Sequence, residues 1–444
     1  MEIQLCDHFT YKKLLRFVLP SIVMMTFTSV YGVVDGLFVS NFVGTTAFAA
    51  LNLVMPILMI IGAIGFMIGA GGTALVAKTL GEGKKEEANK YFSMFVYVVL
   101  FGGILLSLMG FLFAEPISRA LGAEGDMLYY CILYCRICCI SMPAYMLQNV
   151  FQSFFVTAEK PRLGLEISVI TGVTNILLDY LFIVQLGWGL AGAAAATAVG
   201  EFIGGFVPFF YFIRKKNGSL LRLGGFFFDG ALLRKGCTNG VSELMSNISA
   251  SVITILYNYQ LLRYAGENGV AAYGVMMYLS FIFVSIFMGY SVGMAPIVGY
   301  HYGSKDQPEL KNLFAKSRRL ILITGILLAA AAEIFARPLT SIFVGYDPQL
   351  FDMTCTGMRI FSISFLICGF NIFGSAFFTA LNNGAVSAII SFLRTFVFQV
   401  VAIAVLPLIL GLMGIWMGAV VTELMALFVT GAFFLSKRKV YGYL

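Results

Sequence analysis

The sequence predicts an all-α integral membrane protein with two six-helix lobes, and three observations support this fold class. The chain is strongly apolar, because 59% of its 444 residues are hydrophobic and only 11% are charged. Its mean hydropathy is +0.90, and apolar runs long enough to cross a bilayer recur along its whole length. Helices satisfy this many backbone polar groups in lipid most simply. Finally, the second half of the chain resembles the first, which indicates an internal repeat.

Twelve transmembrane helices are predicted from the apolar runs. Asp7, Lys12 and Lys13 precede a first run that is too long for a signal peptide and lacks a small-residue cleavage site, so the first span is expected to remain. The predicted spans cover residues 17–39, 47–77, 91–113, 127–156, 163–186, 190–213, 236–262, 270–300, 313–335, 350–379, 385–408 and 413–435.

Basic residues are distributed unevenly between the predicted loops. The N-terminus, the C-terminal tail and the loops after spans 2, 4, 6 and 8 contain 23 of the 29 Lys and Arg residues, if three at the start of span 9 (Lys316, Arg318 and Arg319) are counted with the loop before it, whereas the alternate loops contain three. The last three, Arg136, Arg359 and Arg394, fall within spans. By the positive-inside rule, both termini are expected in the cytoplasm and the protein in the cytoplasmic (inner) membrane. Basic loops facing anionic headgroups account for the net charge of +7 without nucleic acid.

The two halves match at an offset of 222 residues, with Phe113-Ala114-Glu115-Pro116 aligning to Phe335-Ala336-Arg337-Pro338 and Glu201 to Glu423. Six spans is an even number, so the second half enters the membrane in the same orientation as the first. Two parallel lobes are therefore predicted, related by a pseudo-two-fold axis along the membrane normal and enclosing a central cleft. The expected parts are an N-lobe (1–213), a cytoplasmic linker (214–235), a C-lobe (236–436) and a cytoplasmic tail (437–444). The linker is either a hinge or a simple connector.

Polar side chains interrupt two of the N-lobe spans. A carboxylate at mid-span costs roughly 2.5–3.5 kcal/mol on insertion scales, so Asp35 and Asp179 are expected to face a cavity or a partner. Asn175 and Asp179 are four residues apart and share a helix face, and Thr197 on span 6 adds a hydroxyl. Such oxygens suit a hard cation like Na⁺, and a buried carboxyl also suits a proton. The structural alternative is that these groups only hydrogen-bond neighbouring helices.

The second half offers a different set of candidates. Glu243 and Asn247 lie four apart on span 7 and share one face. Aromatic rings and thioethers on spans 7 and 8 could repack around flat cations or serve as ordinary packing. They are Tyr257, Tyr259, Tyr273, Met276, Met277, Tyr278 and Phe281, and the preferred candidates among them are Tyr273, Met277 and Tyr278. Glu201 and Glu423 either balance Arg136, Arg359 or Arg394 within the bundle, which is the preferred interpretation, or handle substrate.

Motifs for other chemistries are not evident. Cys131, Cys135, Cys138 and Cys139 lack the spacing of a metal finger and are expected to be small buried hydrophobes. The sequence contains no GxxxxGK[ST] phosphate loop, nucleophile elbow or HExxH motif, so neither ATP-driven transport nor enzymatic activity is expected. We expect no metal and no cofactor.

Four segments together resemble the multidrug and toxic compound extrusion (MATE) transporters, and the resemblance spans essentially all 444 residues. They are YGVVDGLFVSNFVGTTAFAALNLVMPI (31–57), GAGGTALVAKTLGEGKKEEA (69–88), NILLD (175–179) and APIVGYHYGSKDQPELKN (295–312). The resemblance implies a secondary active antiporter that exports organic, often cationic, drugs in exchange for Na⁺ or H⁺ by alternating access. A lipid-linked oligosaccharide flippase of the same superfamily is the alternative. A flippase for anionic lipids would favour several basic residues in the cavity, whereas the N-lobe cluster is acidic. A monomer is expected, in contact with small molecules and membrane lipid.

The resemblance also implies roles for individual residues. In MATE transporters an Asp on the first helix and Asn, Asp and Thr on the fifth and sixth build a cation site in the N-lobe. Asp35, Asn175, Asp179 and Thr197 match these positions.

Further positions match more loosely. Tyr134 and Gln152 on span 4 lie near other family site positions, with Asn149 competing for the role of Gln152. Pro20 matches a proline that lets the first helix bend on protonation or drug binding, although a static kink is the alternative. An acid on helix 7, here Glu243, contributes to the cation route or to substrate binding in the family.

Overall fold

The computed structural model describes residues 3–214, 218–345 and 347–444, and these residues form helices joined by short connections. Residues 215–217 of the predicted linker lie outside the described residues. The α-helices are α1 (Tyr11–Phe42), α2 (Thr45–Gly81), α3 (Lys85–Leu112), α4 (Ala114–Ala120), α5 (Gly125–Thr157), α6 (Pro161–Asp179), α7 (Gly189–Ile213), α8 (Gly230–Gly303), α9 (Gln307–Val344), α10 (Pro348–Ser362), α11 (Phe365–Ala380), α12 (Gly384–Phe392), α13 (Phe398–Leu410) and α14 (Leu412–Tyr441).

Ten helical stretches of the described chain are long and apolar enough to cross a membrane. Helices α10 and α11 are bent by 51° relative to each other, and counting this pair as one broken span gives eleven. The all-helical, multi-pass fold class is confirmed, whereas the count of twelve spans stays a prediction.

Helix α8 is too long to be one straight span, and it breaks at Gly266. This residue has φ 63° and ψ −154°, a conformation that glycine adopts readily and other residues do not. Tyr257 and Tyr273 stack with ring centroids 4.6 Å apart. Their sixteen-residue separation would place them about 24 Å apart along a straight helix. The chain therefore folds back near Gly266, and the two arms of α8 contain the predicted spans 7 and 8.

Two separate apolar cores correspond to the two lobes. One core is formed by residues between 39 and 223, including Phe92 and Phe151. The other is formed mainly by residues between 253 and 443, including Phe314, and it also contains Phe9 and Phe17 from near the N-terminus. The first turns of α1 thus pack with the C-lobe.

Beyond Pro20, α1 contacts the N-lobe as well as the C-lobe. Pro20 is buried within α1 without ending the helix. About two and three turns later, the rings of Phe27 and Tyr31 lie against Gly172 of α6. Helix α1 keeps its contact with α8 over the same stretch, because Ile22 lies against Gly289 and Ser285 Oγ donates to Thr26 Oγ1 at 3.3 Å. At Pro20 itself, a missing backbone hydrogen bond lets the helix bend at lower cost.

The lobes meet where α2 approaches both arms of α8. Gly71 lies against the backbone of Gly236 and Gly240, and Gly303 lies against that of Lys78. A side-chain carbon at Gly71 would collide with the Gly236 carbonyl oxygen, so only glycine permits this approach. These contacts lie towards the helix ends that carry the basic loops, and they bring the two lobes together there.

The N-terminal segment crosses the same end and contacts both lobes. The Leu5 N–H donates to Glu159 Oε1 of the N-lobe at 2.7 Å, and the Phe9 N–H donates to Glu309 Oε1 of the C-lobe at 2.9 Å. The backbone therefore bridges the lobes outside the membrane-spanning helices.

The described part of the linker is held on the N-lobe. Leu221 is fully buried, the Arg222 N–H donates to Asn89 Oδ1, and the Gly224 N–H donates to Ser93 Oγ, both at 2.8 Å. These contacts with α3 restrain the segment before α8 begins.

Candidate cation and substrate site

The four residues predicted to form the N-lobe cation site lie together. Helix α6 packs against both α1 and α7, which brings Asp179 into electrostatic range of Asp35. Asp179 is fully buried and Asn175 is 3% exposed. The Asn175 Nδ2 donates to Thr197 Oγ1 at 3.5 Å, a long hydrogen bond that holds α6 and α7 only weakly.

Several oxygens of this cluster lack partners. Both carboxylate oxygens of Asp179, Oδ1 of Asp35 and Oδ1 of Asn175 are buried without a hydrogen-bond donor in the described chain. A buried acceptor left unsatisfied costs about 1–3 kcal/mol, and more when it is charged. Asp35 is also the one charged group that acts on Asp179 among the described residues. These acceptors are therefore suited to hold a cation or a proton.

A π-helical segment, Tyr180–Gln185, follows Asp179 directly. A similar segment in the C-lobe, Leu393–Val397, contains Arg394. Such turns open the i→i−4 hydrogen-bond ladder and are frequent at functional sites. The charges within the spans indicated these regions, but residue pattern alone did not predict the change of helix type.

The three α5 side chains proposed for the site have different surroundings. Tyr134 is 2% exposed and lies in electrostatic range of Asp35. Its hydroxyl lies 4.0 Å from Met55 Sδ and also interacts with Cys138. Asn149 instead holds α2, because its Nδ2 donates to the Gly62 carbonyl at 3.3 Å. Gln152 is buried further along α5.

Sequence reasoning missed Gln148. This side chain is 6% exposed, and its Oε1 has no partner in the described chain. It lies against Gly204 of α7 and interacts with the Tyr31 hydroxyl. The cost of an amide inside an apolar span, which singled out Asn175, applied equally to Gln148.

The repeat-related acids Glu201 and Glu423 differ sharply. Glu423 pairs with Arg394, as expected, with Nη2 to Oε1 at 2.8 Å and Nε to the two oxygens at 2.9 and 3.0 Å. Asn371 Nδ2 donates to Glu423 Oε2 at 2.7 Å. Glu201 pairs with no arginine in the described chain, and the groups that act on its carboxyl include Ser141 and Asp35.

The other two arginines within spans lie elsewhere. Arg136 is exposed, with its guanidinium 5.3 Å from the centre of the Phe111 ring. Arg359 lies 3.8 Å from Glu333 in a half-exposed pair. Neither arginine compensates an N-lobe acid.

A protein-family model named MatE matches residues 20–181 and matches again over residues 244–405. The chain belongs to the MatE family. Its members are transporters, and this one is accordingly a membrane transporter and not an enzyme. The two matched segments begin almost the same distance apart as the 222-residue repeat predicts.

Relatives of this MatE protein match it along most of both chains. The multidrug export protein MepA of Staphylococcus saprophyticus is 24% identical over 410 residues, which cover 91% of this chain and 88% of that protein. MepA of Staphylococcus haemolyticus is 24% identical over 428 residues, covering 94% and 92%.

Solved structures share the fold of this MatE protein. An outward-facing multidrug resistance MATE transporter of the MOP superfamily superposes with a TM-score of 0.93 at 22% identity, covering 100% of this chain and 99% of that one. A MATE protein in complex with MaL6 gives 0.92 at 22% identity, covering 98% of each chain. A MOP superfamily transporter from Pyrococcus furiosus, described as having a binding pocket of reverse polarity, gives 0.88 at 23% identity, covering 97% of each.

The second-lobe candidates of this MatE protein are spread over α8. Glu243 lies in electrostatic range of Arg394, whereas Asn247 turns back on its own helix and donates to the Glu243 carbonyl at 2.8 Å. Tyr273 is 5% exposed and stacked on Tyr257.

The remaining two α8 candidates are more open. Met277 is partly buried against the C-lobe core. Tyr278 is 38% exposed, and its hydroxyl lies close to Gly36 of α1. Of the second-lobe candidates, Tyr278 is thus positioned beside the helix that carries Asp35.

The α5 cysteines contact each other and form no metal cluster among the residues described. Cys135 Sγ and Cys139 Sγ are 4.0 Å apart, and no group of three or more His, Cys, Asp or Glu side chains in that part of the chain could hold a metal ion.

Proposed function

We propose that this MatE protein is a secondary active multidrug exporter that exchanges organic cations for Na⁺ or H⁺ by alternating access. The coupling ion binds at Asp35, Asn175, Asp179 and Thr197. Support comes from family membership and from the relatives named multidrug export proteins.

One observation carries the proposal: four acceptor oxygens of Asp35, Asn175 and Asp179 are buried together without donors in the described chain. Two carboxylates in electrostatic range repel each other unless a cation or a proton lies between them. Releasing that ion restores the repulsion between Asp35 of α1 and Asp179 of α6. The repulsion changes the free-energy difference between conformations that place these two helices differently. Ion binding and drug binding then influence each other reciprocally.

The flippase alternative is less well supported by the charges within the bundle. A wall that binds lipid-linked phosphates needs accessible cationic groups. In the described chain, Arg394 is paired with Glu423 and Arg359 lies near Glu333, so of the three arginines within the spans only Arg136, which lies beside Phe111, is left without an acidic partner.

We further propose that the protein lies in the cytoplasmic membrane as a monomer. Both termini then lie in the cytoplasm, because the basic loops cluster on one side. Cysteines introduced at Gly83 and Gly218 would then be labelled from the cytoplasm and one at Ala123 from outside. The reverse pattern would overturn this orientation.

The function is tested with purified protein in liposomes under separately imposed Na⁺ and H⁺ gradients. We expect one of the two gradients, directed opposite to drug movement, to drive accumulation of a fluorescent organic cation. Abolishing the gradient with the matching ionophore should abolish accumulation. Transport that ignores both gradients would contradict the antiport proposal.

A further inference from the structure

The linker between the lobes presents a run of three phenylalanines on its surface. Leu221 and Leu223 of the linker belong to the N-lobe core, whereas residues 224–230 are all exposed. The three phenylalanines, residues 226–228, have exposed fractions of 60%, 39% and 57% in chain order, and we call them the linker patch. A contiguous exposed apolar run of this kind marks a surface that contacts something outside the chain.

Contacts with α3 fix the position of the linker patch. The Gly224 N–H donates to Ser93 Oγ at 2.8 Å, and the Tyr97 hydroxyl donates to the Gly224 carbonyl at 3.1 Å. The Phe226 ring then packs edge-on against Tyr97 and Phe101, with ring centroids 6.1 and 6.0 Å apart. The place of the patch along α3 is therefore defined by contacts before it and within it.

Phe101 begins an apolar stripe on the outer face of α3. Spacings of three and four residues place the members of the stripe on one helix face, and on a membrane-spanning helix such an exposed stripe faces the hydrocarbon. After Phe101, which is 57% exposed, the stripe continues with Ile104, Leu105, Leu108 and Leu112, which are between 48% and 63% exposed. Phe226 adds a ring at the end of this stripe, so the linker patch is continuous with a lipid-facing surface.

The same face of α3 becomes polar beyond the patch. Lys90 lies seven residues before Tyr97, a spacing that keeps both on one face, and its side chain is exposed. Arg222 is exposed as well, and its N–H donates to Asn89 Oδ1 next to Lys90. The patch thus lies where an apolar surface gives way to a basic one. Aromatic residues favour that level of a membrane, and basic residues on its aqueous side attract anionic headgroups.

The only acid of the linker, Asp229, does not oppose such a contact. Its Oδ1 accepts the N–H groups of Ala231 and Leu232 at 2.8 and 3.1 Å. The carboxylate therefore stabilises the N-terminus of α8, where the helix dipole also favours a negative charge.

We propose that the linker patch inserts into the headgroup region of the leaflet next to the basic loops, with Lys90 and Arg222 facing anionic phospholipid headgroups. Binding at such an interface increases with the apolar area that is buried and with the attraction to anionic lipid. The linker is then held by the N-lobe and by the membrane together, so it serves as a fixed connector and not as a free hinge. Membrane insertion of the patch depends neither on the exported compound nor on the coupling ion.

The first test is the fluorescence of Phe226→Trp in nanodiscs that contain anionic phospholipid, measured as the difference from wild type, which has two tryptophans of its own. Bromine near the glycerol end of the lipid acyl chains should quench the added tryptophan strongly, and aqueous acrylamide should quench it weakly. Lys84→Trp is the matched control and should show the reverse, because Lys84 precedes α3 with 58% of its side chain exposed. Equal acrylamide quenching of the two variants, or no bromine quenching of Phe226→Trp, would overturn the proposal.

A second copy of the chain is the other occupant that this fluorescence detects. In liposomes, bromine quenching of Phe226→Trp should not change with the ratio of protein to lipid if the patch lies in the membrane. Quenching that falls as the protein is concentrated would show that another copy covers the patch, and membrane insertion would be wrong.

A second test uses the wild-type protein and so does not depend on a variant folding. Trypsin should cleave after Arg222 roughly tenfold more slowly in nanodiscs with anionic phospholipid than in purely zwitterionic ones, because cleavage requires the linker to open locally. Cleavage after Lys84, whose ammonium already lies near Glu82 and Glu87, should not respond to lipid charge. Equal rates after Arg222 in both lipids would contradict the contact with anionic headgroups.

The triple variant Phe226→Ser/Phe227→Ser/Phe228→Ser tests whether the patch fixes the linker. In anionic nanodiscs, tryptic cleavage after Arg222 should become roughly tenfold faster than in wild type, while cleavage after Lys84 keeps its rate and so reports an intact N-lobe. An unchanged rate after Arg222 would show that the contacts with α3 alone hold the linker, and the patch would not be an anchor.

Discussion

The N-lobe and the C-lobe are related by the internal repeat but differ in how their buried acids are compensated. At the 222-residue offset, Asp35 corresponds to Tyr257, Asp179 to Val401, and Gly172 to Arg394. In the N-lobe, Asp179 and Glu201 each lie in electrostatic range of Asp35, and none of the three acids has a basic partner among the described residues. In the C-lobe, Arg394 already compensates Glu423.

The difference indicates a division of labour between the lobes. Uncompensated acids need an external cation or a proton, so the free energy of the N-lobe depends on its ligands. The guanidinium of Arg394 acts as a tethered cation for Glu423, and Glu243 also lies in its electrostatic range. We therefore place ion coupling in the N-lobe, and the predictions below test that placement from the largest expected effect to the smallest.

The largest effect is expected for Asp35→Asn and Asp179→Asn. The amide keeps the size of the side chain but cannot carry a negative charge. We expect gradient-driven export into inverted vesicles to fall about 100-fold or more, at equal amounts of folded protein, the loss typical of removing one essential charge. If both acids serve one site, the double variant should be scarcely worse than either single one.

The control for these variants lies in the other lobe. Glu243→Gln removes an acid near Arg394 and should reduce ion coupling less than either aspartate change. Wild-type coupling in Asp35→Asn would contradict the assignment and move attention to Glu243.

A large effect on stability, rather than on coupling, is expected in the C-lobe. Arg394→Met leaves Glu423 buried without its counter-charge, and breaking a buried pair in this way costs about 3–5 kcal/mol. The double variant Arg394→Met/Glu423→Gln should recover most of that loss. Thermal unfolding in detergent measures both, and equal destabilisation of the single and double variants would show that the pair does not stabilise the lobe.

Much of the fold could be predicted from the sequence because lipid leaves few choices. Long apolar runs in a bilayer are most simply helical. The sequence also placed four polar residues on one helix face or on neighbouring spans, and they meet in the structure: Asp35, Asn175, Asp179 and Thr197. An ion pair between Glu423 and an arginine was expected, although the sequence could not decide which of the three arginines within the spans would form it.

Other features could not be read from residue pattern. The π-helical segment after Asp179 depends on how α6 packs, since its residues are ordinary helix formers in lipid. The isolation of Glu201 depends on a ring from α1 lying at Gly172, which is a tertiary contact. The packing of the first turns of α1 with the C-lobe also emerged only in three dimensions, because Phe9 and Phe17 could face either core.

A moderate effect is expected where the lobes touch. Gly71→Val places a branched side chain against the backbone of Gly236 and Gly240, and overpacking of this kind costs about 1–3 kcal/mol. We expect a lower thermal midpoint. We also expect slower export, because this contact between the lobes cannot form properly. Gly102→Val is the control, since no neighbouring atom lies within 4 Å of a side-chain carbon there. Equal effects of the two changes would show that the glycine contact does not hold the lobes together.

The smallest effect is expected for Tyr257→Phe, at the position that corresponds to Asp35. The change removes the hydroxyl that donates to Gln399 Oε1 at 3.2 Å but keeps the ring stacked on Tyr273. Losing one such hydrogen bond costs about 0.5–1.5 kcal/mol, so the thermal midpoint should fall slightly while the dependence of export on the ion gradient stays at the wild-type level. Tyr257→Ala, which also removes the stacking, should destabilise the C-lobe more without altering the coupling ratio. A change of ion dependence in Tyr257→Phe would show that both repeat-equivalent positions take part in coupling, and the division of labour between the lobes would then be wrong.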